Sequence, residues 1–233
     1  MMAPDSASIQ LPLTLPSDDE ASFEFFVAGS AFVSYLKQIA SGESQDWVWL
    51  QGAEGRGKTH LLCAMSRAAG RPAGYLDAAV LKDAGPDCLA ALDGLELVLL
   101  DDFDQLLSPL WEEAWFHQFN RWRASGTQLV VASARRLHGH EVQLPDLQSR
   151  LRMMVEVQIG SLSAADHADL LQRRAAARGF ALDTPVINYL LSRESRSARE
   201  LVLMLDRLGH ESLSAQRKLT VPFVRQVLGH KPV

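Results

Sequence analysis

The chain has 233 residues, of which 47% are hydrophobic and 22% charged, and a net charge of −5 from 23 Lys+Arg against 28 Asp+Glu. A chain of this length buries a core without a metal or disulfide staple, and its acidic balance argues against a nucleic-acid coat or a polybasic membrane binder. Two distant cysteines, Cys63 and Cys88, suit a reducing compartment; with no secretory leader and no apolar run near ~20 residues, a cytoplasmic protein is expected.

Residues 1–20 are rich in Pro, Ser and Asp and read as a flexible tail, broken by one apolar stretch at 8–15 (SIQLPLTL). Phe32, Val33, Leu36 and Ile39 recur at helical spacing over 31–40. Trp47-Val48-Trp49-Leu50 is a β-rich run ending at Gly52. A helix is expected over 59–69 and a strand over 73–76. Leu97-Val98-Leu99-Leu100, closed by Asp101-Asp102, suits a central parallel strand. Trp111, Trp115, Phe119 and Trp122 fall on one face of an amphipathic segment and read as core, not as a base-stacking platform. Further strands are expected over 128–132 and 154–159. Strands alternating with helices imply a parallel sheet sandwiched by helices.

Beyond Gly160 strand signals stop. Ser163-Ala164-Ala165-Asp166 and Ser197-Ala198-Arg199-Glu200 are capping boxes that open helices. Thr184-Pro185 and Thr220-Val221-Pro222 start two more. The expected organisation is a tail over 1–20, an α/β nucleotide-binding core over 21–160 and a small all-helical domain over 161–233.

Gly52-Ala53-Glu54-Gly55-Arg56-Gly57-Lys58-Thr59 matches G-x-x-x-x-G-K-[ST] in full, between an expected strand and an expected helix. Its glycines let backbone N–H groups surround an anion, and the following helix offers its positive end. Lys58 is placed to reach β/γ-phosphates and the Thr59 hydroxyl to ligate Mg²⁺. Asp101, at a strand end, suits the Mg²⁺ shell; Asp102 could polarise an attacking water. The pairs Arg135-Arg136, Arg173-Arg174 and Arg217-Lys218 read as solvated charge, as does His138-Gly139-His140. No HExxH, GxSxG or paired-cysteine motif is present.

The loop running into Lys58-Thr59-His60-Leu61-Leu62, the Leu99-Leu100-Asp101-Asp102 strand end and the helical end domain resemble the AAA+ module of the DnaA family of replication initiators, from about residue 21 onward. Phe23-Glu24-Phe25-Phe26-Val27-Ala28-Gly29 is similar to that family's element beside the adenine. The resemblance implies a P-loop AAA+ fold with a helical lid. It also implies nucleotide contacts from Phe26, Val27, Gly52, Gly55, Arg56, Gly57, Lys58, Thr59 and His60. With its sequence ending at Val233, the chain is expected to lack the family's DNA-binding domain. With the stretch at 216–224 (QRKLTVPFV), it is more closely similar to the Hda branch of DnaA-related regulators.

That resemblance implies ADP, or another nucleoside diphosphate, as the working ligand, with ATP as the alternative and Mg²⁺ on Thr59 and Asp101. It implies Arg199 as a sensor-2 arginine facing the nucleotide, and Arg150 as a finger acting in trans on ATP held by the DnaA initiator. Gln10, Leu11 and Leu13 would form a peptide docking on the sliding clamp (beta), with DNA met through the clamp, no membrane, and self-association left open. Ala134, where the family often has an acidic residue, implies weak ATP hydrolysis by the chain alone, or none. The competing reading is an AAA+ loader acting on single-stranded DNA or a replicative helicase.

Overall fold

The computed structural model describes residues 21–27, 29–139, 141–192 and 197–229. The expected clamp peptide, Gln10, Leu11 and Leu13, lies outside them. Each expected strand forms: β1 (Val48–Gln51), β2 (Ala73–Asp77), β3 (Leu97–Asp101), β4 (Gln128–Ser133) and β5 (Val155–Gln158). All pair in parallel, in the order β2-β3-β4-β1-β5. The register aligns Leu76, Leu100, Val131 and Trp49 in one row across four strands. Successive side chains of a strand face opposite ways, so this row and its neighbours line one face of the sheet, and Leu99, Val130 and Val48 the other.

A parallel sheet needs both faces covered. Five helices do this: α1 (Ser30–Ser41), α2 (Lys58–Ala68), α3 (Ala78–Ala84), α4 (Pro109–Ser125) and α5 (Pro145–Arg152). Side chains of α3, α4 and α5, among them Leu81, Trp115, Phe119, Leu147 and Leu151, share one buried cluster with Trp49, Leu76, Leu100 and Val131. Leu61, Leu62 and Met65 of α2 are fully buried outside that cluster; α2 lies against β2, β3 and β4 and beside α1. The helix that opens at the phosphate loop therefore covers the face opposite α4 and α5.

The aromatic stripe of α4 is core, as its spacing implies. Trp115 meets Phe103 edge-on at 5.1 Å between ring centroids, and Phe119 and Trp122 stack at 6.0 Å. Helices α3 and α5 are additions to the sequence reading, as are 3-10 turns at Phe23–Phe25, Pro86–Leu92, Phe103–Leu106 and Leu137–Gly139.

The chain divides into two compact units. One holds the sheet and its five helices. The other holds Gly160 onward, together with Gly55–Gly57 and Glu24–Gly29. The second unit is all-helical: α6 (Ala164–Ala177), α7 (Thr184–Leu191), α8 (Ala198–Ala215) and α9 (Val221–Val227). Both capping boxes form, Ser163 with Asp166 and Ser197 with Glu200. Leu171, Ile187, Leu190, Leu205, Leu208 and Val224 fill its core. Arg178 pairs with Asp206 and ties α6 to α8.

One expectation is corrected here. The Arg173-Arg174 pair is not simple solvated charge: Arg174 is 4% exposed, with its guanidinium 4.4 Å from the Phe25 ring centroid. Arg173 donates to the Glu24 carbonyl at 3.1 Å and pairs with Asp169 at 2.8 Å. A buried guanidinium on an aromatic face is stabilised by the ring quadrupole, and here it fastens the short aromatic segment to α6. Among the described residues no helix is long and apolar enough to cross a membrane.

Candidate functional site

The phosphate loop leaves β1 at its C-terminal end, where the Gly52 N–H donates to the Ser133 carbonyl of β4 at 3.1 Å. Gly55 and Gly57 take φ of +74° and +86°, left-handed conformations costly for any residue with a Cβ. A Cβ at Gly57 would also lie 2.9 Å from Phe26 Cε2, and one at Gly55 would lie 3.2 Å from Ser197 Cβ. Two demands, backbone and steric, thus meet at each glycine. The loop closes into α2, which starts at Lys58.

Lys58 is 8% exposed. Its ammonium donates to the Gly52 carbonyl at 3.0 Å and the Ala53 carbonyl at 3.4 Å. These acceptors are neutral, so an arriving phosphate would offer the ammonium a stronger, charge-assisted contact. The neighbouring Thr59 hydroxyl donates to Asp101 Oδ2 at 2.6 Å. Sequence separates these two residues by 42 positions; the pairing of β1 and β3 through β4 brings them together. A hydroxyl and a carboxylate side by side are hard oxygen donors of the kind that suit Mg²⁺ carried on a polyphosphate. Among the described residues no three His, Cys, Asp or Glu gather into a metal cluster.

Asp101 is held more firmly than the sequence shows. Tyr75 of β2 donates its hydroxyl to the same Oδ2 at 3.1 Å, and the Asp102 N–H donates to Oδ1 at 3.0 Å. Burial, then the charge of Asp101, pushes the Tyr75 hydroxyl far above its ordinary range, so it stays a proton donor. Asp102 has φ +49° and ψ +37°, a left-handed position that aspartate tolerates better than most residues. Burial is the main cause that raises its carboxyl pKa; repulsion from Asp101 adds to this and Lys58 opposes it. A carboxylate raised in this way is a better proton acceptor, the property needed to polarise water.

The remaining sequence-singled residues fall in several places. His60, on α2, lies with Nε2 2.8 Å from the Ser22 carbonyl and so steadies the chain as it enters the turn at Phe23. Phe26 and Val27 are half-buried, with Phe26 against Gly57. Arg56 is half-buried and Arg199, in the first turn of α8, is exposed. At the end of β4 the buried Ser133 hydroxyl exchanges hydrogen bonds with the backbone of Arg135, donating to its carbonyl at 2.9 Å and accepting from its N–H at 3.0 Å. Ala134 stands between them. His138 is exposed.

Arg150 lies just before the last strand, in the last turn of the short helix α5. It is half-buried, with Cζ 5.3 Å from the Phe116 ring centroid. The sheet stands between α5 and the helix that begins at Lys58.

Comparison with known proteins now adds to this geometry. Residues 164–228 match the family model of the Hda lid domain. Domain III of the replication initiation protein DnaA of Thermotoga maritima superposes with a TM-score of 0.76 at 18% identity, covering 93% of this chain and 100% of that one. AMPPCP-bound DnaA of Aquifex aeolicus gives 0.71 at 21% identity, covering 85% and 70%. The RuvB Holliday junction branch migration motor of Thermotoga maritima gives 0.69 at 16% identity, covering 94% and 73%. The fold is that of an AAA+ module followed by a helical lid.

Proposed function

We propose that the chain, whose residues 164–228 match the Hda lid domain and whose fold is shared with the AAA+ module of DnaA, is a nucleotide-bound regulator that turns off the DnaA initiator by stimulating hydrolysis of the initiator's ATP. The observation that carries this reading is the position of Arg150. It projects from a helix on the face of the sheet opposite the phosphate-loop helix, so its own nucleotide is a poor target and a neighbour's a good one. Its guanidinium is permanently charged and can meet two phosphoryl oxygens at once.

In this reading Lys58 and the loop N–H groups hold the diphosphate of ADP, Thr59 and Asp101 hold its Mg²⁺, and Phe26, Val27, Arg56, His60 and Arg199 contribute further nucleotide contacts. Mg²⁺ supplies charge neutralisation for the phosphates; the protein supplies the oxygens that orient it. AMPPCP bound to the Aquifex initiator supports a nucleotide in this class of site. Gln10, Leu11 and Leu13 dock the protein on the DNA-loaded sliding clamp, in the cytoplasm. With Ala134 beside Ser133, hydrolysis by the chain itself is weak.

The test is a single-turnover assay on ATP-loaded DnaA with DNA-loaded clamp. The parent chain should accelerate hydrolysis, and a chain lacking residues 1–20 should bind ADP equally yet fail to accelerate. No acceleration by the parent overturns the reading, and tight, salt-dependent binding to single-stranded DNA would move it to the loader class.

A further inference from the structure

The geometry points to Glu112 and Phe116 as positioning residues for Arg150, an inference that rests on the trans-acting reading of that arginine. At eight residues α5 is too short to be stable on its own, so where it sits is decided by what it is fastened to. Leu147 and Leu151 bury one side of it. Its start is fastened from α4. Glu112 is 4% exposed, and its carboxylate accepts the Gln143 N–H at 3.0 Å on Oε1 and the Leu144 N–H at 2.7 Å on Oε2. Leu144 is the N-cap of α5 and offers no side-chain cap of its own. One turn further along α4, on the same side, Phe116 lies under the Arg150 guanidinium.

The choice of a ring matters chemically. A carboxylate under Arg150 would occupy its N–H donors and cancel its charge. An aromatic ring attracts the guanidinium without neutralising its charge and without the strong acceptor oxygens that would compete with an incoming anion. The carboxylate that α4 does supply, Glu112, is directed at backbone N–H groups, so it fixes the helix and not the arginine. Together the two residues hold Arg150 in place with its charge and donors intact for the γ-phosphate of an ATP bound by another AAA+ subunit.

The experiment titrates ATP-loaded DnaA, with DNA-loaded clamp, with parent, Phe116→Leu, Phe116→Trp, Glu112→Gln and Arg150→Ala chains. Phe116→Leu keeps the apolar packing and removes the quadrupole; it should lower the maximal stimulated rate roughly 3- to 30-fold at an unchanged half-saturating concentration, with unchanged ADP affinity and thermal midpoint. Phe116→Trp should restore the rate, and Glu112→Gln should lower it in the same way. A parent-like Phe116→Leu, a loss that Phe116→Trp leaves in place, or a change confined to half-saturation overturns the inference. If Arg150→Ala itself stimulates like the parent, the trans-acting reading falls and this inference with it. If Arg150→Ala is inert while Phe116→Leu is parent-like, only the inference falls.

Discussion

Lys58 and Arg150 are both cations singled out for phosphate, and the fold treats them in opposite ways. Lys58 is buried at the first turn of α2 and tied by its ammonium to two backbone carbonyls of its own loop. Arg150 is half-buried and rests on a ring face. The difference matches the two roles proposed for them. A cation serving a ligand of its own chain can be held by neutral acceptors that the ligand displaces. A cation meant for another molecule must keep its donors unspent, and a ring does that where an acid would not.

The largest expected effect breaks the comparison on the Arg150 side. Arg150→Ala should keep the fold and ADP binding and lose stimulated hydrolysis by about 10³-fold or more, the range of a finger supplied in trans, as read in a single-turnover assay. On the other side, Lys58→Ala removes a charge-assisted contact of about 1.5–3 kcal/mol. Calorimetry should show ADP affinity down by roughly 10- to 150-fold; parent-like affinity would mean that the loop does not bind nucleotide.

Two smaller effects sharpen the contrast within the phosphate end. Tyr75→Phe deletes one hydrogen bond to the Asp101 carboxylate and should cost about 1.5 kcal/mol in a denaturant melt. It should also raise the Mg²⁺ concentration needed for tight ADP binding. A neutral outcome in both would show that Thr59 and the Asp102 N–H suffice to hold Asp101.

The smallest concerns pH. The folded-state pKa of Asp102 is raised above its ordinary 3.8, by burial first and by Asp101 second. Its ionised form therefore lowers stability at neutral pH, and that cost fades as pH falls through the raised value toward 3.8. Asp102→Asn keeps the shape and the left-handed backbone. It should raise the thermal midpoint slightly at pH 7, solvent screening keeping the gain small, with the gain vanishing near pH 4. A gain that grows on acidification would reverse the assignment.

Much of this was legible in the chain. Strands β1, β3 and β4 stand as apolar runs because they are buried on both faces, and the lid helices α6 and α8 announce themselves through Ser163–Asp166 and Ser197–Glu200 caps. The Walker-type loop is readable because its glycines and Lys58 answer to local geometry. What stayed hidden depends on distant partners. Helix α5 shows only Leu147 and Leu151 at helical spacing, and its start is capped by Glu112, more than 30 positions earlier. Tyr75 reaches Asp101 because β2 and β3 pair, and Arg174 is buried because Phe25, some 150 positions earlier, covers it. Local pattern carries neither kind of information.

The placement of the aromatic residues also decides what light can report. All five tryptophans, Trp47, Trp49, Trp111, Trp115 and Trp122, are buried in the sheet-bearing unit, and the helical unit from Gly160 onward contains only Tyr189 as an emitter of note. Tryptophan emission, excited selectively at the red edge, on heating or in denaturant therefore follows the α/β core alone, whereas circular dichroism at helical wavelengths follows both units. Coincident traces would establish a single cooperative transition. A circular-dichroism change with tryptophan emission still native would instead be the lid melting by itself, an event to which the tryptophans are blind.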